Sequence, residues 1–414
     1  MRIAFFSWEF YPHIVGGLGT YAIEITRKFV ELGHDVTVFT LNPGNLRTFD
    51  LWRGTLIHRP QIVDTSRVFP LLASDDLKNW GEHIKIFSDI FSFGHLSASK
   101  FINELMRKNQ EHFDLVAIHD WLSCISGLVI KQEIDELSTV FHVHSTEQLR
   151  SGGEGSRVIR DLEMKMGEEA DKIITVSYSM RDHLTYLGYP KEKIRPVWNG
   201  CDPEKYDSSS VDPNRTENLK RRYKISSDEQ VVFFIGRLTW IKGIYNLIQA
   251  MPQVIEEFPL VKFVVLGKGE AYDPILHLAE RLNVKKNLIL RSEFVSEEER
   301  ILHYAMSDIC VFPSISEPFG IVSLEAMSMG KPVVVGARGV SGFKEQVIPS
   351  GPNQCGIHIN GENPTDIAWG IKEILNDPKK GIYWGRNGRR RVLQYFTWKQ
   401  AAENTLNVYN ETLD

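Results

Sequence analysis

Short apolar runs alternate with stretches of helical period along most of the chain. In the first half the runs lie at residues 2–6, 35–39, 83–87, 115–118, 140–143 and 172–176. Apolar side chains recur every three to four positions between most of them, as over residues 18–32 and 98–110. The second half repeats the scheme, with runs at 231–235, 261–266, 287–290, 308–312 and 332–335 and helical periodicity over 244–257, 273–282 and 296–306. Near-continuous apolar strands separated by helices predict parallel sheets covered on both faces. Two such halves predict an α/β protein with two doubly wound, Rossmann-like domains. Turn-forming residues crowd the stretch PVWNGCDPEK, residues 196–205, and set the boundary. The expected division is 1–198 and 199–395, followed by a last helical segment in 396–414 that crosses back to the first domain. Ligands of open parallel sheets bind beyond the carboxyl ends of the strands. Two facing domains therefore predict a cleft lined by the loops that follow strands.

Composition narrows the function classes. The 414 residues carry a formal net charge of −5, so no global basic field points to nucleic acid. The runs Lys220-Arg221-Arg222 and Arg389-Arg390-Arg391 read as solvated helix faces. Four cysteines, Cys124, Cys201, Cys310 and Cys355, are widely spread, which suits buried thiols in a reducing compartment better than disulfides or zinc. No apolar run approaches the roughly 18 residues needed to span a bilayer. The N-terminal MRIAFFSWEF reads as a first strand, not a secretion signal. A cytoplasmic protein without an integral membrane segment is expected, with no reading of its oligomeric state.

The candidate chemistry concentrates in loops after strands. Residues 312–325, FPSISEPFGIVSLE, put Glu317 in a loop and Glu325 in the second turn of a helix opened by Pro318, Phe319 and Gly320. A helix start offers free backbone N–H groups and a positive dipole end, which together make an anion site. Phe319, Gly320, Ile321 and Val322 are its candidate binding positions. Acids on both sides of an anion site suit a ligand with hydroxyls on both sides of a phosphate, as in a nucleotide sugar. The plain alternative is a capped amphipathic helix with two solvated carboxylates.

Arg237 and Lys242 flank a loop after the first strand of the second half. Arg can fork onto phosphate oxygens and Lys can supply a point charge. No Asp-x-Asp occurs, so no metal is expected, and these cations with the helix start take its place in neutralising a departing diphosphate. Gly267, after the next strand, is either a wall beside the base or a simple turn. Gly16-Gly17-Leu18-Gly19 opens a helix after the first strand, where glycines let backbone N–H groups approach an anion closely. The loop before it is too long for a dinucleotide fingerprint. His142 and His144 fall on one face of a strand, with His144 at its end. His119-Asp120-Trp121 ends another strand, where Asp120 is either a ligand contact or a helix cap.

Taken in order, these pieces resemble the retaining glycosyltransferases of the GT-B fold, in the group that includes glycogen and starch synthases and its archaeal-type relatives. Gly16-Gly17 is similar to that family's N-terminal glycine loop near the phosphates, and His119-Asp120-Trp121 to its His-Asp-Trp. His144 matches the histidine that meets the donor sugar. Asn199-Gly200-Cys201-Asp202 resembles the interdomain Asn-Gly-x-Asp. Arg237 and Lys242 match the diphosphate pair. Glu317 and Glu325 match a Glu-x7-Glu signature whose first acid contacts the sugar and whose second contacts the ribose. Phe396-Thr397-Trp398 resembles the segment where the last helix returns to the first domain. Bacterial glycogen synthases carry a Lys before this Gly-Gly and a Gly-Asp after it; here Val15 precedes Gly16 and Thr20 follows Gly19, which weighs against ADP-glucose and glucan synthesis but not against transfer.

The resemblance implies a hexosyltransferase that needs no cofactor, takes ADP- or UDP-glucose as donor, and passes the sugar to a saccharide, an α-glucan among the candidates. His144, Arg237, Lys242 and Glu317 would be catalytic. Gly16, Gly17, Asp120, Asn199, Gly267, Phe319, Gly320, Ile321, Val322 and Glu325 would bind substrate. The alternatives are transfer to another glycoconjugate or small acceptor, a UDP-sugar 2-epimerase, and a non-catalytic nucleotide-sugar or glucan-binding protein.

Overall fold

The computed structural model describes residues 1–68, 83–293 and 295–413. The chain forms two compact units, one of residues 1–176, 181–197 and 401–414, the other of 177–180 and 198–400. The first holds an eight-stranded sheet. Its strands are β1 (Arg2–Phe6), β2 (Asp35–Phe39), β3 (Phe49–Trp52), β4 (Thr55–His58), β5 (Leu115–His119), β6 (Ser138–Val143), β7 (Lys172–Thr175) and β8 (Ile194–Pro196). They lie in the order β3-β4-β2-β1-β5-β6-β7-β8, parallel except for the antiparallel β3–β4 pair.

The second unit holds six strands, all parallel: β9 (Val231–Ile235), β10 (Lys262–Leu266), β11 (Leu288–Arg291), β12 (Ile309–Phe312), β13 (Val333–Gly336) and β14 (Gly356–Ile359). Their order is β11-β10-β9-β12-β13-β14. Four of the five residues of β9 and every residue of β12 and β13 are buried, as helices on both faces require. Ile248, Leu247 and Met251 of the helix Ile244–Ile255 and Ile367 and Ile371 of the helix Pro364–Leu375 complete that core without solvent exposure.

Each sheet reverses its direction of growth once. The chain builds outward from β1 to β4 and then returns to place β5 on the other side of β1. It builds from β9 to β11 and returns with β12 beside β9. At such a switch point the loops leaving the two central strands diverge and open a crevice at the carboxyl edge. The loops so placed are 7–16 and the turn at Asp120 in the first unit, and 236–243 and 313–320 in the second.

The structure corrects several expectations. Residues 83–87 are no strand: they begin the helix His83–Ser99. Phe87, Ile90 and Phe93 are buried at three-residue spacing, and that helical stripe overrides the local His-Ile-Lys-Ile alternation. The hairpin β3–β4 was not foreseen; it turns at Arg53-Gly54, both with positive φ (48° and 81°), as a two-residue hairpin loop requires. The short strands β8 and β14 also escaped the pattern.

The basic runs are not merely solvated. Arg389 donates to the carbonyls of Tyr206 (3.1 Å) and Ser328 (2.5 Å) and to Asp207 (2.7 Å). Arg391 donates to the carbonyls of Gln346 and Glu345, both at 2.7 Å. Arg222 pairs with Glu299. Arg390 alone of the second triplet is exposed.

Candidate active site

The second unit brings most of the predicted residues to one edge. The loop after β9 carries Arg237 and Lys242 and ends at Gly243, whose φ of +69° and close approach to Pro313 exclude any side chain: a Cβ would stand 1.9 Å from the Pro313 carbonyl oxygen. Ile315 N–H donates to the Ile241 carbonyl (2.8 Å), tying this loop to the one after β12. Lys242 Nζ consequently reaches Glu317 Oε2 at 2.5 Å, and the Ser314 hydroxyl donates to the same oxygen at 3.2 Å. The pair is mostly shielded, with side-chain exposures of 20% and 10%. Glu317 is fixed through its backbone too, donating to Val340 (3.0 Å) and accepting from Gly342 (2.8 Å). Arg237 is exposed on the same loop and has no side-chain partner among the described residues. Gly267 packs against that loop: a Cβ there would fall 1.8 Å from the Gly236 carbonyl oxygen, so the turn reading has a steric basis of its own.

The helix expected to open at Pro318 begins at Ile321 and runs to Ser328, with Gly320 as its cap residue at φ 89°. That left-handed conformation favours glycine, and Phe343 closes the space a side chain would need. No protein acceptor meets the N–H groups of Phe319, Gly320, Ile321 or Val322 among the described residues. Four amide donors thus remain at the positive end of a helix dipole, in the loop that carries Glu317. Glu325 sits one turn further on and is 4% exposed. It accepts from the Tyr304 hydroxyl at 2.7 Å and stands 3.8 Å from Arg300. Arg300 also donates to the Tyr206 hydroxyl at 2.7 Å, and the Glu325 charge beside it holds its guanidinium protonated more firmly than usual. Arg300 and Tyr304 lie one turn apart on the helix Glu297–Met306, but Tyr206 precedes Arg300 by 94 residues, so the three form no short motif. Asn199 is buried in a segment whose neighbour Cys201 donates to the Phe396 carbonyl at 2.8 Å.

The first unit gathers the predicted histidines. His119 and His142 stack with ring centroids 4.1 Å apart, and His119 Nδ1 lies 3.2 Å from His144 Nε2. His142 Nε2 meets the Tyr409 hydroxyl at 2.8 Å. Burial lowers the pKa of all three, so the cluster is neutral over a wide range. One nitrogen from each ring falls within a 4.8 Å set. The three rings stack on one another, with centroid separations of 4.1–6.3 Å.

Asp120 stands at the N-cap of the short 3-10 helix Trp121–Ser123, but its side chain makes no capping hydrogen bond. Its Oδ1 accepts from the N–H groups of His144 (2.8 Å) and Ser145 (3.4 Å). Its φ of 53° with ψ of 175° is a sparsely populated conformation that costs on the order of 1–3 kcal/mol and clusters at functional sites. Glu163 and Arg150, unnoticed in the sequence, brace the loop that follows His144. Arg150 donates to the Ser145 carbonyl (2.8 Å) and to Glu163 (2.5 Å), and Glu163 accepts from Glu147 N–H at 3.1 Å. Burial pushes the Glu163 carboxyl up to about 7 against the pull of Arg150.

The glycine loop differs from expectation. Glu9 Oε2 accepts from the N–H groups of Val15 (2.9 Å), Gly16 (2.9 Å) and Gly19 (3.2 Å). The loop's inward amides therefore hold a carboxylate of their own chain, and Gly19 is glycine because a Cβ would strike that carboxylate at 2.8 Å. Only an acid preceding the glycines by several residues hinted at this in the sequence.

Residues 215–391 match the family model described as glycosyl transferases group 1, and residues 15–205 match that of glycosyltransferase family 4. An uncharacterised glycosyltransferase of Methanocaldococcus jannaschii is 31% identical, over 100% of this chain and 99% of that protein. The chain is a group 1 glycosyltransferase. The glycogen synthase of Mycobacterium tuberculosis is 27% identical to this transferase over 99% of the chain and 94% of its own length. The solved sucrose-phosphate synthase of Thermosynechococcus elongatus superposes with a TM-score of 0.79 at 22% identity, covering 99% of this chain and 98% of that one. The fold of the transferase is GT-B. No helix among the described residues is long and apolar enough to cross a membrane.

Proposed function

We propose that this transferase moves a hexose, glucose first among the candidates, from a nucleoside-diphosphate sugar to a saccharide acceptor with retention of the anomeric configuration. The observation that carries the reading is the Lys242–Glu317 pair in the same loop system as four amides, at the start of the Ile321–Ser328 helix, that have no protein acceptor among the described residues. A cation and a helix start stabilise a departing diphosphate where its charge develops. Arg237, exposed and unpaired among the described residues, supplies a second cation on the same loop as Lys242. Glu317 takes hydroxyls of the transferred sugar and Glu325 those of the ribose, while His144 and Asp120 are assigned to the sugar by their sequence resemblance. Neither donor nor site residues call for a cofactor or a metal in this reading. The names glycogen synthase and sucrose-phosphate synthase among the relatives favour glucose and a saccharide acceptor.

Retention by double displacement needs a carboxylate free to attack the anomeric carbon. Glu317 is neutralised by Lys242 and held by Ser314, which makes it a poor nucleophile and a good anchor. The reading is therefore a front-face substitution. The anomeric C–O bond breaks with its electron pair leaving on the diphosphate, the acceptor oxygen bonds on the same face, and its proton passes to the leaving phosphate oxygen.

The test is a screen of UDP-, ADP- and GDP-sugars for release of nucleoside diphosphate, with glucan, monosaccharide and lipid acceptors added in turn. Acceptor-dependent release and an α-configured product by NMR are expected. An inverted product, or donor conversion to a new sugar without acceptor, would overturn the proposal.

A further inference from the structure

The anion site at Gly320 is only as good as the direction of its amides, and the turn that carries them has no regular structure to aim it. Three consecutive carbonyls in this turn are each taken by a side-chain donor. Ser177 hydroxyl donates to Pro318 (2.8 Å), Gln346 Nε2 to Phe319 (2.8 Å), and Ser323 hydroxyl to Gly320 (3.0 Å). In a planar trans peptide the C=O and N–H point opposite ways. Drawing these three carbonyls into the protein therefore turns the N–H groups of Phe319, Gly320 and Ile321 away from it.

Gln346 is the centre of this device. It is completely buried, and its side-chain oxygen accepts from Ser323, the residue that holds the next carbonyl. One amide thereby fixes the Phe319 carbonyl directly and shares the single Ser323 hydroxyl proton with the Gly320 carbonyl, which the Ser323 N–H also meets at 3.3 Å. Its own backbone is anchored in turn, because Arg391 Nε donates to the Gln346 carbonyl at 2.7 Å. No other contact is required of the Gln346 side chain: its donor and its acceptor both end on the turn or its first helical residues. A glutamine spent on a sharp turn, where an apolar residue would fill the same buried space, is the mark of a group that sets orientation.

We infer that Gln346 is a positioning residue for the donor diphosphate, acting through the Pro318–Phe319–Gly320 turn without touching the ligand. The inference rests on the donor reading above. It predicts a defect confined to the phosphates: the turn aims amides at an anion, whereas the nucleoside makes its contacts elsewhere.

The experiment measures the affinity of the full chain for whichever of UDP, ADP and GDP binds best, and for the matching nucleoside. Gln346→Leu should weaken the diphosphate by about tenfold or more, the scale of losing aligned bonds to a charged group, with nucleoside affinity unchanged. Gln346→Glu keeps the shape and the acceptor for Ser323 but loses the donor to Phe319. Its diphosphate affinity, expressed relative to wild type at each pH, should be poor at neutral pH and recover on acidification, when the carboxyl gains a proton to donate. A merely structural glutamine would not produce that recovery. Ser177→Ala, which frees the neighbouring carbonyl, should shift the same ratio in the same direction and serves if a Gln346 variant does not fold. Folded variants with an unchanged diphosphate-to-nucleoside ratio, or with both affinities falling in parallel, would overturn the inference. Failure of the wild type to bind any of the three diphosphates would instead sink the donor reading, and is seen before any variant is made.

Discussion

Replacing Lys242 by Met tests the centre of the proposed chemistry. The change keeps most of the apolar stem and removes the charge that stands 2.5 Å from Glu317. Two consequences follow, and they differ in size. For stability, the pair is neither exposed nor fully enclosed, at 20% and 10% side-chain exposure. Orphaning Glu317 should cost between the roughly 1 kcal/mol of an exposed pair and the 3–5 kcal/mol of a buried one, or about 1–3 kcal/mol. At about 2–4 °C per kcal/mol for a unit of this size, the melting temperature should fall by several degrees. For catalysis, losing one group that meets the charge on the leaving diphosphate should lower kcat by about 10²–10³. The double variant Lys242→Met with Glu317→Gln separates the roles. If Lys242 serves only to neutralise Glu317, removing both charges restores turnover. If it meets the diphosphate, the double variant regains stability and stays at least as slow as the single one. The assay is acceptor-dependent release of nucleoside diphosphate, read beside thermal unfolding of the wild type and both variants. Turnover of the single variant close to wild type, or recovery in the double, would refute the assignment.

Three other outcomes can be checked on the same preparation. Stability should fall as the pH drops below about 6.5, the ordinary histidine value, because His119, His142 and His144 stay neutral when folded while the unfolded chain takes up their protons. With three protons the slope reaches about 4 kcal/mol per pH unit; urea midpoints that stay flat from neutral pH into this range would count against the neutral stack. Gly320→Ala should cost about 2–4 kcal/mol, from a left-handed φ and a clash with Phe343, and should weaken nucleoside-diphosphate binding. Arg389→Ala should destabilise by about 2–4 kcal/mol through its three lost bonds, whereas Arg390→Ala should stay within about 0.5 kcal/mol. Equal urea midpoints for those two variants would show that the Arg389 bonds carry no net stability.

Local signals served best where they act through the chain itself. The β-rich runs of β9, β10 and β12 were readable because strands buried on both faces must be apolar throughout. They failed where a segment is short or its periodicity is ambiguous. Residues 83–87 alternate like a strand, yet their apolar stripe continues as a helix into Phe93. The strands β8 and β14 have three and four residues, too few to establish a period.

At the candidate site the division is sharper. Glu317, Gly320, Arg237 and Lys242 could be picked out because they sit at fixed offsets from strand ends and helix starts, and those offsets are a property of sequence. The partners that make them work are set by the order of strands in the sheet. Lys242 meets Glu317, 75 residues away, because β12 returns beside β9. Glu325 meets Tyr304 and Arg300, and Gln346 meets Phe319, across helices that pack on that sheet. Glu9 fills the glycine loop because the chain after β1 folds back on itself. The linear pattern determined two α/β units and the identity of the charged loops, since burial period and turn chemistry are local. The tertiary structure alone decided which charges neutralise each other and which amides face outward, since those depend on strand order and on backbone direction that no local spacing encodes.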